Sequence, residues 1–71
     1  MSMNYDYLDA IAMDVRQGDT SRVGVLSTGE RLYVALAASN CALLGNDSIA
    51  YAIDRIGHEA LRELVARHRL D

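Results

Sequence analysis

The spacing of glycine limits the length of any helix that this chain can form. Five glycines interrupt the 71 residues, and the chain contains no proline. Because glycine readily adopts the left-handed conformation that ends helices, a first helix is predicted to end at Gly18. For the same reason Gly57 is predicted to break or kink the last helical segment. The breaks fall too often for the long helices of an extended coiled coil, which leaves short helices packed across one another.

Apolar residues recur at helical spacing between these breaks. From about Tyr5 to Gln17 they follow the i, i+3, i+4, i+7 rule, and Asn4 is placed to cap the start. The residues predicted to face the core there are Leu8, Ile11, Ala12 and Val15. Two later stripes are predicted in the same way, the first after a cap at Asp47. They consist of Ile49, Ala52, Ile53 and Ile56, and of Leu61, Leu64, Val65 and His68.

The segment from about residue 28 to residue 39 differs because it is apolar on nearly every side. One stripe holds Leu32, Ala35, Leu36 and Ser39, while Tyr33, Val34, Ala37 and Ala38 fill most of the other positions. A helix that is apolar all round is normally surrounded by other elements. We therefore predict that this is the central helix, with Asn40 as its left-handed terminator.

These segments together predict an all-α fold. We expect one helical domain over residues 1–71: a compact orthogonal bundle of four helices with a central helix at about 28–39. Residues 19–26 are predicted to form a short helical turn that Asp19 could cap. A short strand is the alternative there, but the sequence offers no second strand for it to pair with.

The small size of the chain predicts self-association. A domain of this length buries roughly 60% of the surface of its unfolded chain, so its core is marginal. Much of the apolar content is alanine, and phenylalanine and tryptophan are absent. A homodimer would add buried area, so we expect one.

Cysteine usage and the absence of a recognisable leader bear on localisation. The single cysteine, Cys41, cannot form an internal disulfide, which fits a reducing cytoplasm, and we expect it to be a small buried thiol. The first residues carry acids where a signal peptide would be basic, and no apolar run approaches the ~20 residues that span a bilayer. We therefore expect a cytoplasmic protein with no membrane partner.

The stretch GVLSTGERL, residues 24–32, has the glycine spacing of a phosphate-binding loop. A Walker loop places lysine after its second glycine, whereas here Glu30 follows Gly29 and would repel a nucleotide. Ser27 and Glu30 instead match the S-x-x-E capping box that opens a helix. We predict helix capping and no bound cofactor.

No arrangement of residues predicts catalysis or metal binding. His58 and His68 are ten residues apart and point in different helical directions, and no zinc-binding Cys-His spacing exists. His68 is expected to be a hydrogen-bonded histidine at the edge of the core or of an interface. We therefore expect no enzymatic activity, no catalytic residues and no metal ion.

A helix-turn-helix motif around Gly57 is the alternative that would imply nucleic-acid binding. Ile56 before the glycine fits the motif, but Ile53 stands where an alanine is needed for the two helices to approach. In this alternative, a small dimeric regulator would contact phosphates through His58, Arg62 and Arg69. Neighbouring glutamates on the same helix would oppose that contact.

The outer face of the first helix is the preferred candidate site. Residues 1–30 hold five acids and two arginines, which accounts for the whole net charge of −3. Carboxylates along a helix can compete with phosphates for basic groups, and methionine supplies an adaptable apolar contact. We expect a small accessory protein, of the kind that phages and mobile elements encode, that binds a basic macromolecule such as a nucleic-acid-binding protein. Its predicted partner-binding residues are Asp6, Asp9, Ala10, Met13 and Asp14.

Overall fold

The computed structural model describes residues 3–68, and within that range the chain is helical with no strand. Three α-helices follow one another, α1 (Tyr5–Arg16), α2 (Thr28–Ala37) and α3 (Ile49–His68). Two short 3-10 helices, Val23–Val25 and Cys41–Leu44, lie in the connections. The molecule measures 28 × 27 × 25 Å, so the predicted compact all-α fold is confirmed. The predicted count of four helices is not, because the last two predicted helices form one element interrupted at a single residue, Gly57.

Helix α1 matches its prediction closely. The side chain of Asn4 accepts a hydrogen bond from the Tyr7 amide at 3.1 Å and caps the start. All four predicted core residues are buried, with Leu8 and Ile11 fully so. The helix ends in a Schellman motif, in which Gly18 adopts a φ of +92° and the Asp19 amide donates back to the Asp14 carbonyl.

The connection from α1 to α2 is the predicted helical turn. The Asp19 carboxylate accepts a hydrogen bond from the Ser21 amide at 2.9 Å, which turns the chain. The 3-10 helix that follows buries Val23, while Val25 remains 77% exposed. The connection therefore contacts the core through Val23 and, directly after the 3-10 helix, through the partly buried Leu26.

Helix α2 is the buried centre of the fold. The capping box is present, with the Ser27 hydroxyl accepting from the Glu30 amide and the Glu30 carboxylate accepting from the Ser27 amide. Within the helix Leu32, Tyr33 and Val34 are fully buried. The elements on either side, α1 and α3, both pack against α2. The prediction of an enclosed central helix is confirmed.

The end of α2 differs from the prediction by one residue. The left-handed residue is Ser39, with a φ of +53°, and Asn40 has an extended backbone. A Schellman motif requires the left-handed residue directly after the cap, and the cap here is Ala38. Asn40 instead caps the second 3-10 helix by accepting from the Ala42 amide. Cys41 begins that helix and is exposed, so the prediction of a buried thiol was wrong.

Helix α3 begins and packs somewhat differently from its prediction. Ser48, rather than Asp47, caps it, because the Ser48 hydroxyl accepts the Tyr51 amide hydrogen bond at 3.0 Å. The residues it buries are Ala52, Ile56, Ala60 and Leu64. Ile49, Ile53 and Val65 lie beside these on the predicted stripes but remain exposed. Small alanines at the contact bring the backbone of α3 close to α2, and the bulkier neighbours are left outside.

Two arginines tie helical ends together. Arg16 donates to the carbonyl of Ala37 at 2.8 Å, and Arg31 donates to the carbonyl of Leu43. Carbonyls at the end of a helix lack intrahelical partners, so each guanidinium satisfies a group that would otherwise need water. In the range 3–68, no helix combines the length and apolar character needed to cross a bilayer.

Candidate functional site

On the outer side of α1, Asp9 forms contacts with the other helices, whereas the remaining predicted residues form an open surface. Asp9 turns toward the core edge, and its side chain is only 23% exposed. Tyr33 of α2 donates from its hydroxyl to Asp9 Oδ1 at 3.0 Å. His68 Nε2 lies 2.7 Å from the same oxygen. An ionised carboxylate can only accept, so the ring nitrogen carries the proton in this bond. The prediction of a hydrogen-bonded histidine at the core edge is confirmed.

Arg67 joins the same carboxylate from the last turn of α3. Its Nη1 donates to Asp9 Oδ2 at 3.0 Å and to Asp6 Oδ1 at 2.8 Å, and its Nε donates to Glu63 Oε1 at 2.8 Å. The guanidinium carbon also lies 5.5 Å from the centre of the Tyr5 ring. We call Asp9, Tyr33, Arg67 and His68 the Asp9 network. It connects all three α-helices through one carboxylate.

The pKa values of the network reflect these contacts. Partial burial by itself would raise the pKa of Asp9, but the hydrogen bonds from His68, Arg67 and Tyr33 outweigh it and lower that pKa below its ordinary value. Burial, followed by the adjacent Asp9 carboxylate, raises the pKa of Tyr33 above its ordinary value. At neutral pH the network therefore holds an ionised carboxylate and a protonated phenol.

The remaining predicted residues of α1 form an open surface. Met13 is 55% exposed, Ala10 is exposed, and the Asp6 side chain is 91% exposed although it contacts Arg67. Tyr7, which the sequence prediction did not include, is 40% exposed on the same helix. We call Asp6, Tyr7, Ala10, Met13 and Asp14 the α1 outer face. Its centre is apolar and its two ends are acidic.

Arg22 partly neutralises one end of the α1 outer face. It contacts Asp14 at 2.6 Å, and its guanidinium carbon lies 5.8 Å from the centre of the Tyr7 ring. Both members of the ion pair are about 40% exposed as side chains, at 45% and 36%. An exposed pair of this kind contributes roughly 0–1 kcal/mol, so a competing charged group could replace either partner at little cost.

The residues of the nucleic-acid alternative lie on the second half of α3. His58 and Arg62 are exposed and line one surface depression together with Glu59 and Glu63. Two carboxylates therefore stand beside the two basic groups. Arg69, the third predicted contact, lies outside the described residues.

The remaining candidates from the sequence are the phosphate-binding loop and a metal site. Gly29 and Ser27 open α2, as the capping box requires. Across residues 3–68, no three His, Cys, Asp or Glu side chains converge in a way that could hold a metal ion. The comparisons with known proteins add no family: no protein-family model, curated protein or solved structure matches this chain.

The Asp9 network was only partly visible in the sequence. The Glu63–Arg67 pair at i, i+4 was recognisable, but the reach of Arg67 across to α1 was not, because contacts between distant segments leave no local pattern. The available signal was Tyr33 within an apolar helix, since a buried tyrosine hydroxyl normally finds a hydrogen-bond partner.

Proposed function

We propose that this protein is a small non-enzymatic interaction protein that binds a basic macromolecular partner through the α1 outer face. The observation that carries the proposal is the exposure of Met13 and Tyr7 between two acidic ends, on a helix whose opposite side is fully buried. Attachment of α1 to the core fixes the backbone positions of these residues before a partner arrives, which lowers the entropic cost of binding.

The chemistry of the α1 outer face supports a protein partner. Tyrosine and methionine are enriched at the centres of protein interfaces, where they contribute apolar area. Methionine also adapts its shape to different surfaces because its side chain is unbranched and flexible. Ala10 between them lets a partner approach the helix closely. Asp6 and Asp14 then form a charged rim around this centre.

The electrostatics of this face support a basic partner in particular. Arg67 and Arg22 already contact Asp6 and Asp14, which shows that the geometry suits guanidinium groups. The Asp6 side chain stays 91% exposed while it does so, leaving room for a second basic group. Exposed charge pairs rearrange at low cost, so an arginine of the partner can add to or displace the internal one.

Photocrosslinking from position 13 tests the proposal. Met13 is replaced by benzoylphenylalanine in the cells that make the protein, and the same residue is placed at Val65 as a control on α3, where exposure is 62%. The expected result is one dominant crosslinked protein from position 13 and none from position 65. When a lysate of these cells is irradiated instead, the crosslink yield should fall with added salt, because the screening length shrinks from about 10 Å at 0.1 M to about 3 Å at 1 M.

Introducing a positive charge gives a second measurement. Met13→Arg should abolish copurification of the partner that the crosslink identifies, whereas Val65→Arg adds the same charge elsewhere and should leave copurification intact. Circular dichroism of both variants checks that the helices are retained. Unchanged binding by a folded Met13→Arg variant contradicts the proposal.

Nucleic-acid binding through the second half of α3 is the competing function. Glu59 and Glu63 beside His58 and Arg62 weaken the attraction to phosphates, which places this alternative second. An electrophoretic shift of DNA or RNA at low salt, lost in Arg62→Ala and retained in Met13→Arg, would favour the alternative over the α1 outer face.

A further inference from the structure

An apolar groove lies on the side of the molecule where α2 ends. It is lined by α2, by the second 3-10 helix and by the start of α3, through side chains that include Leu36, Cys41, Leu44 and Ile49. Its volume is about 250 Å³. That is several times the ~30 Å³ that one water molecule occupies in the liquid, so the groove has room for an aliphatic side chain.

Apolar side chains remain open to water along this groove. Ile49 is 52% exposed and Cys41 is exposed, although both belong to elements that pack on the core. Ile53, one helical turn after Ile49 and therefore on the same side of α3, is 36% exposed. The groove thus has a recessed part and, one helical turn beyond Ile49, an isoleucine that is partly open to solvent.

The lining of the groove carries no acidic or basic side chain among the described residues. In a chain with a net charge of −3, this is a surface that a second copy can cover without bringing like charges together. A highly charged partner, acidic or basic, would gain nothing from such a lining and would have to give up its own hydration.

We propose that the groove is the contact surface of a symmetric homodimer. In a two-fold interface both subunits contribute the same patch. A recess and an exposed apolar side chain on one patch therefore give two equivalent contacts, in which the side chain of each copy fills the recess of the other. Ile53 of each copy enters the groove of the other, and Ile49 and Leu36 become covered. The interface lies apart from the α1 outer face and does not depend on the function proposed for that face.

Sedimentation equilibrium of matched variants tests this assignment. Ile49→Glu places a charge in the groove, and because Ile49 is the first residue of α3 the new acid suits the helix dipole and spares the fold. Val65→Glu adds the same charge at a more exposed residue of α3. We expect a dimer for the natural sequence and for Val65→Glu. For Ile49→Glu we expect the dissociation constant to rise about 100-fold or more, because the interface contains the substitution twice.

Crosslinking through Cys41 supplies an independent readout. A short bismaleimide adds to two thiols without an oxidant, so a covalent dimer should form in the natural protein, disappear in Cys41→Ser and decline sharply in Ile49→Glu. A protein that sediments as a monomer at every concentration and yields no covalent dimer overturns the proposal. A dimer that Ile49→Glu leaves intact assigns the interface elsewhere and overturns it as well. Neither outcome affects the partner-binding test at Met13.

Discussion

Arg67 donates a hydrogen bond to the carboxylate of Asp9 at 3.0 Å, although 58 residues separate them in the chain. This contact joins the last turn of α3 to the middle of α1. Tyr33 on α2 and His68 on α3 bind the other oxygen of the same carboxylate. One acid at the core edge therefore holds the end of α3 against the rest of the fold. Its removal should lower the stability of the whole domain.

Asp9→Asn is expected to lower the free energy of unfolding by about 1–3 kcal/mol. This range is typical when hydrogen bonds to a charged group are lost and their donors are left without an acceptor. Chemical denaturation measures the change. Asp54→Asn, at an exposed position of α3, is the matched control and should stay within about 0.5 kcal/mol of the natural protein. A double-mutant cycle with Tyr33→Phe should give a coupling of roughly 0.5–3 kcal/mol, and additive effects would show that the network does not act as a unit.

The lowered pKa of Asp9 predicts how its contribution depends on pH. Below the ordinary aspartate pKa of about 3.9, the unfolded chain takes up a proton before the folded chain does. Stability from Asp9 is therefore complete above that value and is lost as the pH falls through the lower pKa of the folded state. The stability difference between the natural protein and Asp9→Asn should therefore shrink once the pH falls below about 5. A difference that stays constant down to the acid transition would contradict this account.

The capping box at the start of α2 offers a local test. Ser27→Ala removes the hydroxyl that accepts from the Glu30 amide and should cost about 0.5–2 kcal/mol of stability. Thr28→Ala, at the next and likewise exposed position, removes a hydroxyl that is not the cap and should change stability by less than about 0.5 kcal/mol. Equal losses in the two variants would mean that the cap contributes no more than an ordinary surface residue.

Ser39 is the one described residue other than glycine with a positive φ, at +53°. A residue with a Cβ pays roughly 1–2 kcal/mol in this conformation, and glycine avoids that cost but is more flexible when unfolded. Ser39→Gly should therefore stabilise the protein by a net ~0.5–1 kcal/mol. Ser21→Gly, at an exposed position outside the left-handed region, should instead be destabilising. Thermal unfolding at a concentration where self-association is negligible compares the two, and a destabilised Ser39→Gly would refute the prediction.

Short-range sequence patterns predicted most of the fold. Periodicity placed α1 and its four core residues, and the capping box placed the start of α2, because these signals come from residues within one or two turns of each other. The nearly uniform apolar character of α2 likewise identified the central helix. Each of these inferences needed only the spacing of residues in a short window.

The errors arose where packing decides between similar residues. Ile49, Ile53 and Val65 have the spacing of core residues, but small alanines at positions 52 and 60 take the contact with the core. Ser48 and Asp47 are adjacent residues that can both cap a helix, and the register of α3 selects the serine. Asp9 looked like part of an open acidic face because its partners lie 24, 58 and 59 residues away.

The break in α3 leads to the sharpest prediction about the backbone. Gly57 has φ +88° and ψ 172°, a region that is essentially restricted to glycine. Apart from the adjacent backbone of its own helix, no atom lies within 4 Å of where a Cβ would stand. The cost of Gly57→Ala is therefore conformational rather than steric, and we expect a loss of about 1–3 kcal/mol in the free energy of unfolding. The variant could relieve this strain only by straightening α3. That would move Arg67 and His68 away from Asp9 and break the contacts of the Asp9 network.

Gly24→Ala is the matched control for this substitution. At Gly24, too, no atom beyond the adjacent residues lies within 4 Å of where a Cβ would stand, but the φ of Gly24 lies outside the left-handed region. Alanine there should be neutral or stabilising by up to about 1 kcal/mol, because it restricts the unfolded chain. Amide exchange of α3 distinguishes strain from rearrangement: protection should fall mainly after residue 57 if the end of α3 detaches from α1. Equal stabilities for Gly57→Ala and Gly24→Ala would show that the break at Gly57 does not depend on the glycine.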